Sequence, residues 1–349
     1  MLEAGAAVSL EAVSAWSEGR TSGPGLAGWR TGGGAVLGET VVCRAPGVWV
    51  APAFGVAVAA DGGVFRATAG PLLPYRRGLG ELPGAVGSGD AWSLQLEDEA
   101  PRLEAAALWR GWGGSFNYGH YLLDALPALL ALEEAGLLSG APPVSGPLQP
   151  WARDLLALAF PGLQPVESRA PWIRVEKAVW STAMDHNLHR PGPLMLRLRE
   201  RLLGPPDGPP LRLYFSRRGL SGRILVNEAA LEAALRSRGY RVVHPERLSI
   251  AEQVALARRA EVVVGASGAA MANALFAPAG ARVVEILPEA FAWPWVRDLC
   301  RLCGLDWRGW FSGPPVDPRA APWFSRVRRG FAFAWRLELE PFLAWLDAG

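Results

Sequence analysis

Asn117, His120 and Asp124, in the segment NYGHYLLDALP, stand three and four positions apart, so on a helix they share one face. An imidazole beside a carboxylate is held in one tautomer, and one member of the pair can take a proton from a hydroxyl. The same spacing also describes a helix N-cap followed by a satisfied interior His/Asp pair, and the residues alone leave both readings open. Pro127 removes the backbone donor to the Leu123 carbonyl, which predicts a kink just past Asp124. The preceding GWGGSF adds flexible glycines and an aromatic, Trp112. Together with Asn117, that indole suits an acceptor site.

A second group gathers in GASGAAMANALFAPAG, residues 265–280. It follows the strand-like EVVVGA, so it reads as strand, tight turn and helix start. Free N–H groups and the partial positive charge of a helix start favour an anion there, and doubly wound sheets bind ligands at the carboxyl ends of their strands. Ser267 and Gly268 form the turn. Asn273 in the following helix is either structural or a diphosphate contact. Arg217, Arg218 and Arg223 of SRRGLSGRILVNE follow another strand, LRLYFS, at the same sheet edge. Guanidinium forks match phosphate oxygens and keep their charge, so Arg217 and Arg223 could neutralise a departing nucleoside diphosphate without a metal. Glu285, read as the end of the strand RVVEILP, could accept hydrogen bonds from both hydroxyls of a ribose.

A nicotinamide dinucleotide is the competing ligand. Its fingerprint needs a third glycine where this chain has Met271, and an opening position in its domain. Short-chain reductases pair a tyrosine with a lysine four residues on, but the single lysine, Lys177, precedes the turn and has no such tyrosine. A sugar- or nucleotide-binding module without turnover is the alternative from another class.

The elements that must hold these residues alternate. Residues 34–70 are short strands punctuated by glycine and proline, with a hairpin turn at 61–63. LEAAALW and WIRVEKAVW read as strands around helices at 117–138 and 151–160. GPPDGPP, 204–210, can join neither helix nor sheet interior. Beyond it, strands and helices alternate through RVVEILP, with Asn227 and Ser249 as N-cap candidates and Glu252 completing a capping box. Such alternation predicts an α/β fold with parallel, doubly wound strands. The expected domains are 1–203, with its β-rich N-terminal segment; 204–325; and a helix in 326–349 returning to the first domain.

The chain has 349 residues, half of them apolar, 19% charged, with a formal net charge of +2. Disorder and a nucleic-acid partner are excluded on that balance. Cys43, Cys300 and Cys303 cannot build a disulfide framework, and the Cys300/Cys303 pair has no histidine from 284 onward to complete a zinc site, so no metal is expected. No signal peptide is expected from MLEAGAAVSLEAVSAW, and no apolar run of about 18 residues appears in the sequence. A cytoplasmic location follows as an expectation. The arginines and aromatics of 326–346 allow peripheral association with the inner face of the membrane, as interfacial helices do; an oligomer is equally allowed.

Taken together, NYGHYLLDALP, YFSRRGLSGRILVNE and YRVVHPERLSIAEQVALARRAEVVVGASGAAMANALFAPAGARVVEILP resemble glycosyltransferase family 61 over roughly residues 110–290. The resemblance implies the GT-B architecture, two Rossmann-like domains facing across a cleft. It also implies inverting transfer of xylose, N-acetylglucosamine or a related sugar, as in polysaccharide biosynthesis, from a nucleoside-diphosphate donor, expected to be a UDP-sugar, to a hydroxyl of a glycan or other acceptor. By position, Arg217 and Arg223 fall on the family's diphosphate-side arginines, Glu285 on its ribose-side acid, and His120 with Asp124 on its first-domain HxxxD, either of which could be the base. Where the family pattern GxHGAxLxN has histidine, this chain has Ser267. The nearest thing to an Asp-x-Asp metal motif is EDE at 97–99, read as a solvated turn, so metal independence and the absence of a cofactor are expected.

Overall fold

Short, largely apolar runs form one principal sheet in each of two units, Met1–Arg201 and Leu202–Gly349. The computed structural model describes residues 40–60, 62–69, 79–88, 91–96, 99–186, 192–220, 222–288, 294–312, 315–316 and 333–348. The N-terminal stretch read for a leader, Asp61 of the hairpin, Glu97 and Asp98 of the acidic triplet, and the arginine-bearing 326–332 lie outside these residues.

In the first unit the strands are β1 (Val42–Ala51), β2 (Val56–Val58), a separate hairpin of β3 (Ala85–Ser88) and β4 (Ala91–Leu94), then β5 (Arg102–Leu108), β6 (Pro143–Ser145), β7 (Val166–Glu167) and β8 (Ile173–Ser181). Six of them form a sheet in the order β2-β1-β8-β5-β6-β7. β1 runs antiparallel to β2 and β8, whereas β5 is parallel to β6 and β8, and β6 to β7. The parallel part therefore reads third, second, first, fourth in chain order. Its direction of growth reverses between β5 and β8, and crevices for ligands open at the carboxyl ends of strands at such a reversal. The helix Leu126–Glu134 is buried from Leu126 through Leu132, which explains why its sequence is apolar all round instead of striped.

The second unit carries β9 (Leu211–Phe215), β10 (Ile224–Leu225), β11 (Arg241–Val243), β12 (Ala260–Ala266), β13 (Arg282–Pro288), β14 (Asp306–Ser312), β15 (Pro315–Val316) and β16 (Ala334–Trp335). Five parallel strands stand in the order β11-β9-β12-β13-β14. In chain order that is second, first, third, fourth, fifth, with the reversal between β9 and β12. The loop bearing Arg217 and the turn bearing Gly268 leave those two strands. Helix Ile250–Ala257 begins with the expected capping box, Ser249 and Glu252 bonding reciprocally.

Three expectations are corrected here. The C-terminal helix, Leu339–Ala348, does not return its buried face to the first domain: Phe342 and Leu343 join Tyr214, Leu231, Val264 and Ile286 in the second unit's own core, where each fully buried large side chain contributes about 1.5–3 kcal/mol. Asn227 does not cap the helix Glu228–Ser237. Its side chain donates to the Leu337 carbonyl and accepts from the Leu337 N–H, which ties the C-terminal segment down. The helix after the quoted turn, Ala269–Phe276, is wound as a 3-10 helix. Six of its eight residues are buried, and a Cβ at Gly265 would collide with the Met271 sulfur. Met271 therefore fills the space that a side chain at 265 would need, and tight packing overrides the α preference of an alanine-rich run.

Candidate functional site

In the first unit, Asn117 caps the helix start by accepting the His120 N–H at 3.3 Å. One helical turn, Tyr118–His120, leads into a π-helical segment, Tyr121–Ala125, before the α-helix resumes. Leu126 closes that segment by donating its N–H to the Tyr121 carbonyl. The disturbance expected at Pro127 thus takes the form of a widened turn carrying Asp124, a feature that frequents functional sites. Within it His120 Nδ1 lies 2.7 Å from Asp124 Oδ2, and the two side chains are 27% and 9% exposed respectively. Asp124 therefore holds the imidazole while His120 presents the more open surface. The imidazole also lies against the glycine turn: a Cβ on Gly113 would stand 2.9 Å from His120 Cγ. Trp112, the acceptor-side aromatic, has a described backbone only.

Arg110, which sequence reasoning passed over, directly follows β5 and is 3% exposed. Its Nη2 donates to the Gly146 carbonyl at 3.3 Å, and its Nε is buried without a hydrogen-bond partner. Burial pulls its guanidinium down to about 10, against the opposing pull of Tyr121 and Glu167. The signal was available, since a charged residue directly ends the apolar run LEAAALW.

In the second unit, Arg217 lies across the Gly268 turn so closely that any Cβ on Gly268 would collide with its Nη1. Its Nη2 reaches the Gly222 carbonyl at 3.4 Å, and its Nε is buried without a hydrogen-bond partner. Burial lowers Arg217, opposed by Glu228; burial and then the charge of Arg217 lower Arg223 to about 10. Both stay cationic at neutral pH, held within each other's field. Arg223 has a left-handed φ of 47°, alone in this among the described non-glycine residues. Such a backbone costs on the order of 1–3 kcal/mol, and such residues cluster at active sites and ligand clamps.

Two acids missed in the sequence hold this loop. Glu228 accepts the Arg217 main-chain N–H at 2.7 Å and the Tyr214 hydroxyl at 2.8 Å; burial raises it, partly offset by those bonds. Glu232 accepts from Ser216, Arg218 and Arg236. Burial pushes it up, but these bonds outweigh burial and leave it below the ordinary value. Their spacing of four, on one face of Glu228–Ser237, was the legible signal. Arg218 is thereby committed to Glu232, leaving Arg217 and Arg223 as the pair beside the turn.

The remaining candidates are more deeply placed. Ser267 is buried, with its N–H donating to the Ile286 carbonyl at 3.0 Å. Asn273 is buried and donates to Gln253 Oε1 at 3.1 Å, while Gln253 donates to the carbonyls of Pro245 and Leu248; its amide serves the interior. Glu285 is not at a strand end. It stands at the centre of β13, in register with Gly265 on one side and Gly309 on the other, and is 0% exposed. Its Oε2 accepts the Trp307 indole N–H at 3.1 Å, so it reaches a ribose only if the strand packing opens. Among the described residues no three His, Cys, Asp or Glu side chains gather as a metal site, and no helix is long and apolar enough to cross a membrane. Cys300 and Cys303 are buried free thiols.

The glycosyltransferase 61 family profile matches residues 118–284. That match covers just under half of the chain, which is thus similar to that family. The match runs from the first turn of the His120 helix, through Arg217, Arg223 and Gly268, to the residue before Glu285. A curated relative, protein O-linked-mannose β-1,4-N-acetylglucosaminyltransferase 2 of Canis lupus familiaris, is 32% identical over 141 residues, covering 37% of this chain and 24% of that protein. The chain thus spans about a quarter of the length of the relative it matches.

Proposed function

We propose that this glycosyltransferase moves a sugar, with inversion and without a metal, from a nucleoside-diphosphate donor to an acceptor hydroxyl on a glycan or similar molecule. The observation that carries the reading is Arg217 laid across Gly268, with Arg223 beside it, at the strand-order reversal of the second unit. Two partly buried cations beside a helix start favour an anion, and the oxygens of a diphosphate match their guanidinium forks. As the anomeric bond breaks, the same groups stabilise the departing diphosphate.

His120 is the general base in this reading. Asp124 is too enclosed to meet an acceptor; its carboxylate accepts from Nδ1–H, which makes Nε2 the nitrogen that takes the acceptor proton. Ser267 offers a hydroxyl where a cation would stand in the family pattern, so Arg217 and Arg223 carry the charge. The donor and acceptor must meet, and the GT-B organisation of two Rossmann-like domains is part of the proposal.

The activity named for the canine relative makes UDP-N-acetylglucosamine the first donor to test. A thermal-shift screen of UDP, GDP, CDP and ADP sugars in chelator checks the reading: selective stabilisation by one nucleotide supports it. No stabilisation by any of them, or stabilisation only when a divalent cation is added, contradicts it.

A further inference from the structure

Glu285 is not used in that mechanism, yet it lies directly beneath the turn that receives the diphosphate. It pairs in register with Gly265, two residues before Ser267, and Ser267 itself is anchored to the next residue of β13 through the Ile286 carbonyl. Glu285 Oε1 and Ser267 Oγ are both buried without an aligned hydrogen bond. Ser267 leads into Gly268, on which Arg217 rests.

Resting on the donor reading above, we propose that Glu285 is a positioning residue and that the diphosphate binds at the turn only while Glu285 is protonated, its neutral carboxyl supporting Ser267 and the Gly268–Arg217 contact from below. A diphosphate at the turn brings negative charge next to a carboxyl with little water to screen it, so ionised Glu285 and bound donor oppose each other. Among the described residues the groups facing the carboxyl are few. Ser267 comes from the turn after β12, Trp307 from β14, and Arg297 and Cys300 from the helix Trp295–Leu302. Burial pushes Glu285 up to about 7, with Ser267, Trp307 and Arg297 opposing the rise. The Cys300 thiol is raised by burial and by Glu285 itself, so it brings no cation. Arg297 also bonds Asp298 at 2.9 Å, which shares its charge.

A carboxyl poised near 7 in the free protein and held protonated in the complex makes donor affinity level below that pH, then declining by as much as tenfold per pH unit above it. Titrating UDP into wild-type and Glu285→Gln protein from pH 6 to 9 tests this, because the ratio of the two affinities cancels the ionisation of UDP itself. The expected result is a ratio that changes by no more than about twofold between pH 6 and 7 and moves at least fivefold against the wild type by pH 8.5. Ser267→Ala provides a second reading should Glu285→Gln fail to fold: that hydroxyl holds the carboxyl down, so its removal shifts the decline to higher pH. A ratio constant over the whole range, or a decline unmoved by Ser267→Ala, overturns the role of Glu285 while leaving the donor reading intact. Failure of wild-type protein to bind UDP at any pH overturns both.

Discussion

At the scale of single residues, the division of labour between His120 and Asp124 follows from burial. Their 2.7 Å contact joins a partly open imidazole to a carboxylate that is nearly enclosed. His120→Ala is expected to lower kcat by about 10²–10⁴-fold, with the affinity for donor unchanged. Asp124→Asn would leave the ring in place but favour the wrong tautomer, so kcat falls in the same direction; steady-state kinetics alongside direct binding of donor separates the two quantities. Activity retained in His120→Ala but lost in Asp124→Asn would instead make the carboxylate the base. Both residues were legible in the sequence because spacing of four on a helix places side chains together. Which of them faces solvent was not legible, since it depends on the glycine turn packed over the imidazole and on the π segment that carries Asp124 inward.

At the scale of elements, the alternation from LRLYFS to RVVEILP was readable because buried parallel strands leave apolar runs, whereas β6, β7, β14 and the helices Pro193–Leu202 and Trp295–Leu302 were not read from it. Two misread residues share one cause, the packing of neighbours remote in sequence. Asn227 looked like a cap, but two hydrogen bonds to Leu337 claim its side chain. Glu285 looked like a strand end, because Pro288 closes the run so soon after it; pairing with Gly265 and Gly309 sets it in the middle of the sheet. The cost of that placement is testable through stability. A carboxyl raised to about 7 in the fold supports stability fully below the unfolded value, 4.5, and that support is lost as pH rises through 7. Glu285→Gln should therefore be more stable than wild type at pH 8 by about 3 kcal/mol, with the gap closing towards pH 4.5. Chemical denaturation at the two pH values measures it, and a gap independent of pH would show that Glu285 titrates normally.

At the scale of the whole molecule, each unit has its candidate residues after strands at a reversal in strand order, β5 beside β8 in the first, β9 and β12 in the second. The proposed proton acceptor and the proposed anion grip are carried on separate units, so their contributions should be separable: changes in one alter turnover alone, changes in the other alter donor affinity. The measurement that goes most directly to the centre of this account is a calorimetric titration of UDP, in chelator, into wild type, His120→Ala and Arg217→Ala. Saturable binding is predicted for wild type and His120→Ala with equal affinity, and a loss of at least tenfold in Arg217→Ala, the effect of removing one charged hydrogen-bonding partner of about 1.5–3 kcal/mol. Equal affinity in Arg217→Ala and wild type would contradict it.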